Sequence, residues 1–239
     1  MKPFIFTLLI AANASTLCHA DEFFYVDWTE AAPDAGTARG IIELPDMSTV
    51  SIDFEVLNAD ETPGTYFFAQ TDDGTNYWEP DAPYISDEVS NPPPTTDILA
   101  LVGGETQTYR ISLSEPIEDP IMAIVSLGAP GTTVEYDFDR PFEIVSQGQG
   151  FWGGSNTSLS QLEGDVLSGR EGHGTIRFTG TFDSFSWTVA QTEGWHGFTY
   201  GIRTTTALIP EPGGFILLLA ALFISVGRWR RRRSTVICE

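Results

Sequence analysis

The last thirty residues hold the feature that most restricts how this chain can fold. Gly213–Gly227 is an apolar run of 15 residues without a charge, and Arg228–Arg233, with five arginines, follows directly. As a helix the run is about 22 Å long, and snorkelling side chains and local thinning let it cross a hydrocarbon core of about 30 Å. Trp229 suits the headgroup level. We predict a transmembrane helix over about 213–229, with its C-terminal end held in the cytoplasm by Arg228, Arg230, Arg231, Arg232 and Arg233.

Two other interpretations of this run are possible: a helix buried in a protein core and a permanent membrane anchor. The abutting arginines argue against the buried helix, because unpaired charges are costly to bury. A third interpretation uses the residues just before the run, Pro210-Glu211-Pro212.

The order Pro-Glu-Pro, short apolar helix and arginine cluster resembles the PEP-CTERM sorting tail of bacterial exosortase substrates. The resemblance covers residues 207–239 and departs from the family in the extra Ser234–Glu239 after the arginines. It implies that an exosortase-type membrane protease cuts near Pro210, Glu211 and Pro212. The preceding domain would then be released or re-attached at the cell surface.

The N-terminus, residues 1–20, has the pattern of a secretory signal peptide. Lys2 supplies a positive start, Phe4–Ile10 begins an apolar core, and Cys18-His19-Ala20 ends it with small residues at the cleavage positions. We predict cleavage by signal peptidase between Ala20 and Asp21, after passage through the secretion translocon. A lipoprotein would use Cys18, but Leu17 is larger than the residue usual before such a cysteine.

The exported body is strongly acidic. Between Asp21 and Ile209 it has six arginines and 31 acidic residues, a formal charge of −25. Such a charge favours solubility and cationic partners and excludes nucleic acid as a partner. Both cysteines, Cys18 and Cys238, lie outside the body, which excludes thiol chemistry in it.

The body, residues 21–206, is predicted to be a single all-β domain. Val50, Ile52, Phe54 and Val56 alternate with polar neighbours, which indicates a half-buried strand, and Ile121–Leu127 is a continuous apolar run typical of a central strand. Glycines and prolines separate such segments at spacings near ten residues. We expect an antiparallel β-sandwich of jelly-roll type, with an immunoglobulin-like sandwich as the alternative. Further strands are predicted over 109–113, 134–138, 142–146, 175–179, 182–189 and 197–205.

One segment breaks the strand pattern. Residues 71–97 hold five prolines, seven acidic residues and only scattered apolar residues. We predict an irregular surface loop there, with extended polyproline conformation at Asn91–Pro94.

Glycines and aromatic residues recur between about 120 and 203, notably in Ser146–Gly153, Leu167–Phe178 and Glu193–Gly201. This block is similar to an uncharacterised β-module of PEP-CTERM surface proteins, and Gly36–Asp46 resembles the start of that module. The resemblance implies export and surface display and supplies no catalytic motif.

The aromatic residues divide into two groups. Those in strands are expected to fill the interface between the sheets: Phe178, Phe185, Trp187 and Phe198. Trp152 and Trp195 lie beside glycines in loop-like contexts, where they either plug a loop or, with the Tyr77–Trp78 pair, form a platform for sugar rings.

Two groups of residues could supply metal ligands. Two carboxylates and two histidines occur in Glu171-Gly172-His173 and Glu193-Gly194-Trp195-His196, without the local spacing of a zinc site, and are expected to be loop histidines. Oxygen ligands for structural calcium could come from Asp72, Asp73, Asp137 and Asp139. No EF-hand loop is present, and no other cofactor is indicated.

The sequence therefore predicts an exported, non-catalytic protein of the cell surface or extracellular matrix, since no common catalytic motif occurs in it. Its precursor would be anchored in the inner membrane with the domain outside the cytoplasm. Two alternatives remain: a carbohydrate-binding module for exopolysaccharide, and a secreted hydrolase with a carboxylate pair hidden among the many acidic residues.

Overall fold

The protein was analysed in a computed structural model that describes residues 20–94, 96–104 and 107–203. The predicted signal peptide up to His19 and the predicted sorting tail with its membrane helix lie outside these residues. Within them the chain forms fifteen strands and two short 3-10 turns, Pro33–Ala35 and Ala82–Tyr84, with no α-helix. The described part of the chain contains no helix long and apolar enough to span a bilayer.

The strands form two antiparallel sheets, which confirms the predicted all-β sandwich. The seven-stranded sheet contains β1 (Phe24–Tyr25), β5 (Phe68–Gln70), β6 (Ile98–Gly103), β8 (Ile121–Leu127), β10 (Phe142–Gln147), β13 (Gly172–Phe178) and β15 (Thr192–Ile202). The eight-stranded sheet contains β2 (Asp27–Ala32), β3 (Thr37–Glu43), β4 (Thr49–Leu57), β7 (Thr108–Glu118), β9 (Val134–Phe138), β11 (Leu159–Gln161), β12 (Val166–Gly169) and β14 (Thr181–Thr188).

The strands from β6 onward pair in a nested order. In the seven-stranded sheet β6 pairs with β15 and β8 pairs with β13, and in the eight-stranded sheet β7 pairs with β14 and β9 pairs with β12. The first strand of this region, β6, thus pairs with the last, β15. The second, β7, pairs with the second-last, β14, and the same order continues inward to β9 and β12. This nesting places β8 and β15 side by side in the middle of the seven-stranded sheet.

The strand predictions agree with this arrangement in detail. The alternating residues of 50–56 form β4, in which apolar side chains are buried and Thr49, Ser51 and Asp53 are exposed. The apolar run Ile121–Leu127 is β8, a central strand buried along its whole length. The last predicted strand begins earlier than expected, at Thr192.

An inner core of aromatic and aliphatic side chains fills the space between the sheets. The four aromatic residues predicted to lie there, Phe178, Phe185, Trp187 and Phe198, are all buried, which confirms that prediction. Phe185 stacks on Trp187 with ring centroids 5.7 Å apart, and Trp187 meets Phe198 edge-on at 5.3 Å. Each such side chain stabilises the fold by about 1.5–3 kcal/mol through burial alone.

An outer core lies on the other face of the seven-stranded sheet. Ile121, Ala123 and Val125 of β8 point to this face, and Trp78 and Tyr84 from residues 71–97 pack over them. We call residues 71–97 the covering segment. The segment is irregular and partly exposed, as predicted, but it is more than a surface loop, because Trp78, Tyr84 and Val89 are buried against a sheet that is apolar on both faces.

Hydrogen bonds fix the covering segment at several points. Asn91 exchanges two bonds of 2.9 Å with the backbone of Phe23, and Ser146 Oγ donates to the carbonyl of Pro83 at 2.7 Å. Asp97 Oδ2 accepts the buried backbone N–H of Trp28 at 2.9 Å. These bonds tie the segment to both the N-terminal strand and the sheet below it.

Candidate functional site

Four aromatic side chains from three distant parts of the chain meet beside the outer core. Tyr77 comes from the covering segment, Phe151 and Trp152 from the turn after β10, and Trp195 from β15. Five pairs of these rings are in contact, with centroids 4.8 Å apart in Trp152–Trp195 and Phe151–Trp152 and up to 5.4 Å apart in Tyr77–Trp152. We call these four residues the surface aromatic cluster.

The surface aromatic cluster has a supported base and an exposed top. Tyr77 and Trp195 are partly buried and pack against the outer core. Phe151 is 41% exposed and Trp152 is 48% exposed. Large aromatic side chains are usually buried, so two adjacent exposed ones that rest on two anchored ones form a rigid apolar patch at the surface.

A tight turn presents Phe151 and Trp152. Gly150 and Gly153 bond to each other through both backbone groups, at 2.7 and 3.2 Å, which leaves the two aromatic residues at the tip. Gly153 has a φ of 122°, a conformation that side-chain-bearing residues rarely adopt. A Cβ at Gly150 would overlap the ring of His173, so the turn lies directly on that histidine.

His173 lies in β13, fully buried beneath the turn. Its Nδ1 accepts the backbone N–H of Ser126 at 3.4 Å and lies 3.5 Å from the Tyr84 hydroxyl, so Nε2 carries the ring proton, 3.4 Å from Glu171 Oε1. Burial lowers the pKa of His173 to about 4. The ring is therefore neutral near pH 7 and supports the turn by packing rather than by charge.

Glu171 completes this support. Its Oε1 accepts the Ser126 hydroxyl at 2.6 Å. Burial raises the pKa of Glu171, the bond from Ser126 opposes that rise, and the charge of Glu193 adds to it. Ser126 itself has a φ of 58° where the pairing of β8 with β13 shifts register, so a strained backbone position is held by this carboxylate.

The second histidine is in a different environment. His196 lies in β15 and packs beside Tyr136 in the inner core, with Nδ1 3.0 Å from Glu193 Oε1. His173 instead packs beside Tyr84 under the covering segment. Both histidines are buried strand residues, so the expectation of loop histidines is wrong. His173 faces the covering segment and His196 faces Tyr136, and among the described residues neither belongs to a group of three or more side chains that could hold a metal ion.

The calcium candidates are not gathered into a site. Asp72 and Asp73 line an open depression of about 520 Å³ together with Asp27, Asn76 and Asp97. Asp137 lies on the exposed side of β9 in the eight-stranded sheet. Both carboxylate oxygens of Asp139, just after β9, accept hydrogen bonds of 3.0 Å from Ser186. Among the residues described by the structure, no three His, Cys, Asp or Glu side chains are placed to hold a metal ion.

Three of the four residues predicted to form the sugar platform lie together in the structure. Trp152, Trp195 and Tyr77 come together as expected, although they are far apart in sequence. Trp78 does not join them: it is 1% exposed and donates its indole N–H to the carbonyl of Asp97 at 3.3 Å. Its inclusion was wrong because the chain turns at Tyr77–Trp78, so that Tyr77 contacts Trp195 whereas Trp78 packs edge-on against Tyr84 in the outer core.

Phe151 belongs to the cluster and was not predicted. The signal was present in the sequence, because Phe151 and Trp152 are the two residues between Gly150 and Gly153. Two aromatic residues at the tip of a glycine-bounded turn have no strand neighbours to pack against, so they are placed at the surface together.

Comparison with known proteins gave no relative: no protein-family model, no curated protein and no solved structure matches this chain.

Proposed function

We propose that this chain is an exported, non-catalytic surface protein whose β-sandwich binds a polysaccharide through the surface aromatic cluster. The observation that carries the proposal is the exposed pair Phe151–Trp152 resting on Tyr77 and Trp195. A contiguous exposed apolar patch on a soluble domain marks an interaction site. Sugar rings suit this patch, because their C–H faces are apolar and their edges carry hydroxyl groups that bind nearby polar side chains.

Polar groups lie next to the patch. Asn76 is half-buried beside Tyr77, accepts the backbone N–H of Trp78 at 3.1 Å and donates to Glu79 Oε1 at 3.3 Å. Glu79 is exposed and lines one depression together with Phe151. These groups supply the acceptors and donors that a sugar edge requires.

The nested strand order supports a sandwich of jelly-roll type. Pairing of the first strand with the last, and of each following strand with its counterpart, is what results when one long hairpin is rolled into two sheets. An immunoglobulin-like sandwich is the alternative. Jelly-roll domains occur among lectins, so this architecture is compatible with sugar binding.

Export and sorting form the other half of the proposal, and sequence patterns support them. The chain would pass through the secretion translocon, lose residues 1–20 to signal peptidase, and stay anchored through the helix at about 213–229 until an exosortase-type protease cuts near Pro210–Pro212. Intact-mass analysis of the extracellular protein tests this directly. We expect a species that begins at Asp21 and ends near Pro210–Pro212, and recovery of the uncut chain in the cytosol would contradict the proposal.

Polysaccharide binding is tested by affinity electrophoresis of the purified full-length chain in gels that contain different polysaccharides. We expect Trp152→Ala to weaken binding roughly 30-fold, as for an aromatic hot-spot residue worth about 2 kcal/mol. Phe67→Ala is the matched control, since Phe67 is 57% exposed and lies outside the cluster. If no polysaccharide retards the wild-type chain, the cluster is a plug for the covering segment and the protein has a structural role alone.

A further inference from the structure

The surroundings of the surface aromatic cluster carry negative charge. Glu79 and Asp81 are exposed, and with Pro80 and Phe151 they line a shallow depression of about 530 Å³ at the edge of the cluster. The covering segment that contributes them has seven acidic residues and no basic residue. Within the described residues, no ion pair involves Glu79 or Asp81.

The arginines of the body are largely engaged elsewhere. Five of the six form ion pairs with carboxylates, for example Arg177 with Glu88 at 2.6 Å and Arg203 with Asp21 at 2.9 Å. The sixth, Arg170, is exposed at the end of β12. An anionic polysaccharide would therefore meet two carboxylates that form no ion pair with any described residue, and a body of charge −25 around them.

Resting on the polysaccharide-binding function proposed above, we propose that the ligand is a polymer of amino sugars with free amines. The apolar face of a sugar ring would stack on Trp152 and Phe151. The ammonium group of that sugar would lie in the depression beside Phe151 and bind Glu79 and Asp81. A second ammonium group of the polymer, placed over an exposed aromatic ring, would gain a cation–π contact. Uronic-acid and sulfated polymers would be repelled by the same carboxylates.

The test compares two oligomers of equal length, one of glucosamine and one of N-acetylglucosamine, which differ in charge but share the ring face. Binding to the full-length chain is measured at mildly acidic pH, where sugar amines are protonated. We expect the glucosamine oligomer to bind roughly fivefold to tenfold more tightly, from two exposed ion pairs. We also expect added salt to reduce this preference.

Two double variants test whether Glu79 and Asp81 cause the preference for the glucosamine oligomer. Glu79→Gln with Asp81→Asn is expected to abolish the preference for the amine, measured as the ratio of the affinities of the same variant for the two oligomers. Asp34→Asn with Asp183→Asn removes the same charge from exposed positions away from the cluster and is expected to change nothing. A preference that survives in the first variant, or falls equally in both, would show attraction by overall charge and would overturn the inference.

The remaining outcomes separate this inference from the proposed function. Equal binding of the two oligomers, or tighter binding of the N-acetylated one, overturns the amino-sugar inference while polysaccharide binding stands. The same conclusion follows if neither oligomer binds but a neutral glucan does. If no polysaccharide binds and Trp152→Ala has no effect, the proposed function itself fails.

Discussion

The two sheets of this sandwich bury their residues in different ways. In the eight-stranded sheet, β4 buries every second residue and leaves Ser51 and Asp53 in water, because that sheet has one core face and one solvent face. In the seven-stranded sheet, β8 is buried from Ile121 to Leu127. A sheet that is apolar on both faces needs a second layer, and here an irregular segment rather than a helix supplies it.

This difference places the candidate site. The covering segment and the turn at Gly150–Gly153 both lie on the outer face of the seven-stranded sheet, and the surface aromatic cluster forms where they meet. The solvent face of the eight-stranded sheet is instead lined by ion pairs such as Arg39–Asp53 and Arg110–Glu55. Irregular segments carried by a rigid sheet are where binding surfaces commonly arise.

The largest expected effect is in the inner core. Phe198→Ala should lower the free energy of unfolding by about 3–5 kcal/mol, because it leaves a cavity between Trp187 and Phe54. Urea unfolding of the full-length chain, followed by near-UV circular dichroism, measures the loss. Phe198→Leu is the matched control and should lose less than half as much. A small effect of Phe198→Ala would mean that the sheets do not share one core.

A smaller effect is expected in the outer core. Trp78→Ala should lower the free energy of unfolding by about 2 kcal/mol, because the covering segment can open locally while the sandwich stays folded. The same change should make residues 71–97 sensitive to proteases under native conditions. A loss as large as that of Phe198→Ala, without selective cleavage, would show that the cover and the sandwich unfold as one unit.

Asp97, at the end of the covering segment, should make the stability of the fold depend on pH. Burial, opposed by the Trp28 N–H and reinforced by Asp27 and Asp72, raises the pKa of Asp97 to about 6 from an ordinary value of 3.8. The folded chain therefore holds this proton more tightly than the unfolded chain. The stability that results is complete below the ordinary value and is lost as pH rises toward 6.

Unfolding measured across this range should separate Asp97→Asn from the wild type. The asparagine keeps an acceptor for Trp28 without a charge, so we expect the variant to lose less stability than the wild type as pH rises from 4 to 7. Asp34→Asn, at an exposed 3-10 turn, should follow the wild type. Parallel curves for all three chains would contradict the assigned role of Asp97.

The smallest effect on stability is expected at the exposed top of the cluster. Trp152→Ala should change the free energy of unfolding by no more than about 0.5 kcal/mol, as is usual for exposed positions. Urea unfolding measures this change, and the same measurement on Trp195→Ala should show a larger loss, since Trp195 packs against the outer core. Similar losses in both variants would mean that Trp152 is a structural plug.

The sequence predicted the strands of the two sheets better than the packing of the covering segment. Alternation at Val50–Val56 and the apolar run at Ile121–Leu127 encode strand burial locally, so β4 and β8 were predictable. The burial of Trp78 was not, because residues 71–97 have no periodicity that says which side chains face the sheet. Contact between Tyr77, Trp152 and Trp195 also depends on how β10, β13, β8 and β15 are ordered in the sheet, and no short stretch of sequence specifies that order.

The histidines show the same limit. His173 and His196 both follow a Glu-Gly pair, and this shared context suggested one kind of position for both. They differ because β13 turns His173 toward the covering segment, whereas β15 turns His196 toward Tyr136 in the inner core. Which face a strand residue occupies depends on bulges, and both strands shift register near these histidines.

Hydroxyl-radical footprinting of the full-length chain, with and without the polysaccharide that retards it most, tests the central claim directly. If the surface aromatic cluster is the binding surface, Phe151 and Trp152 should be protected by the ligand. Phe67 and Met47, which are 57% and 90% exposed outside the cluster, should be oxidised to the same extent in both samples. Unchanged oxidation of Phe151 and Trp152 in the bound sample would contradict the account.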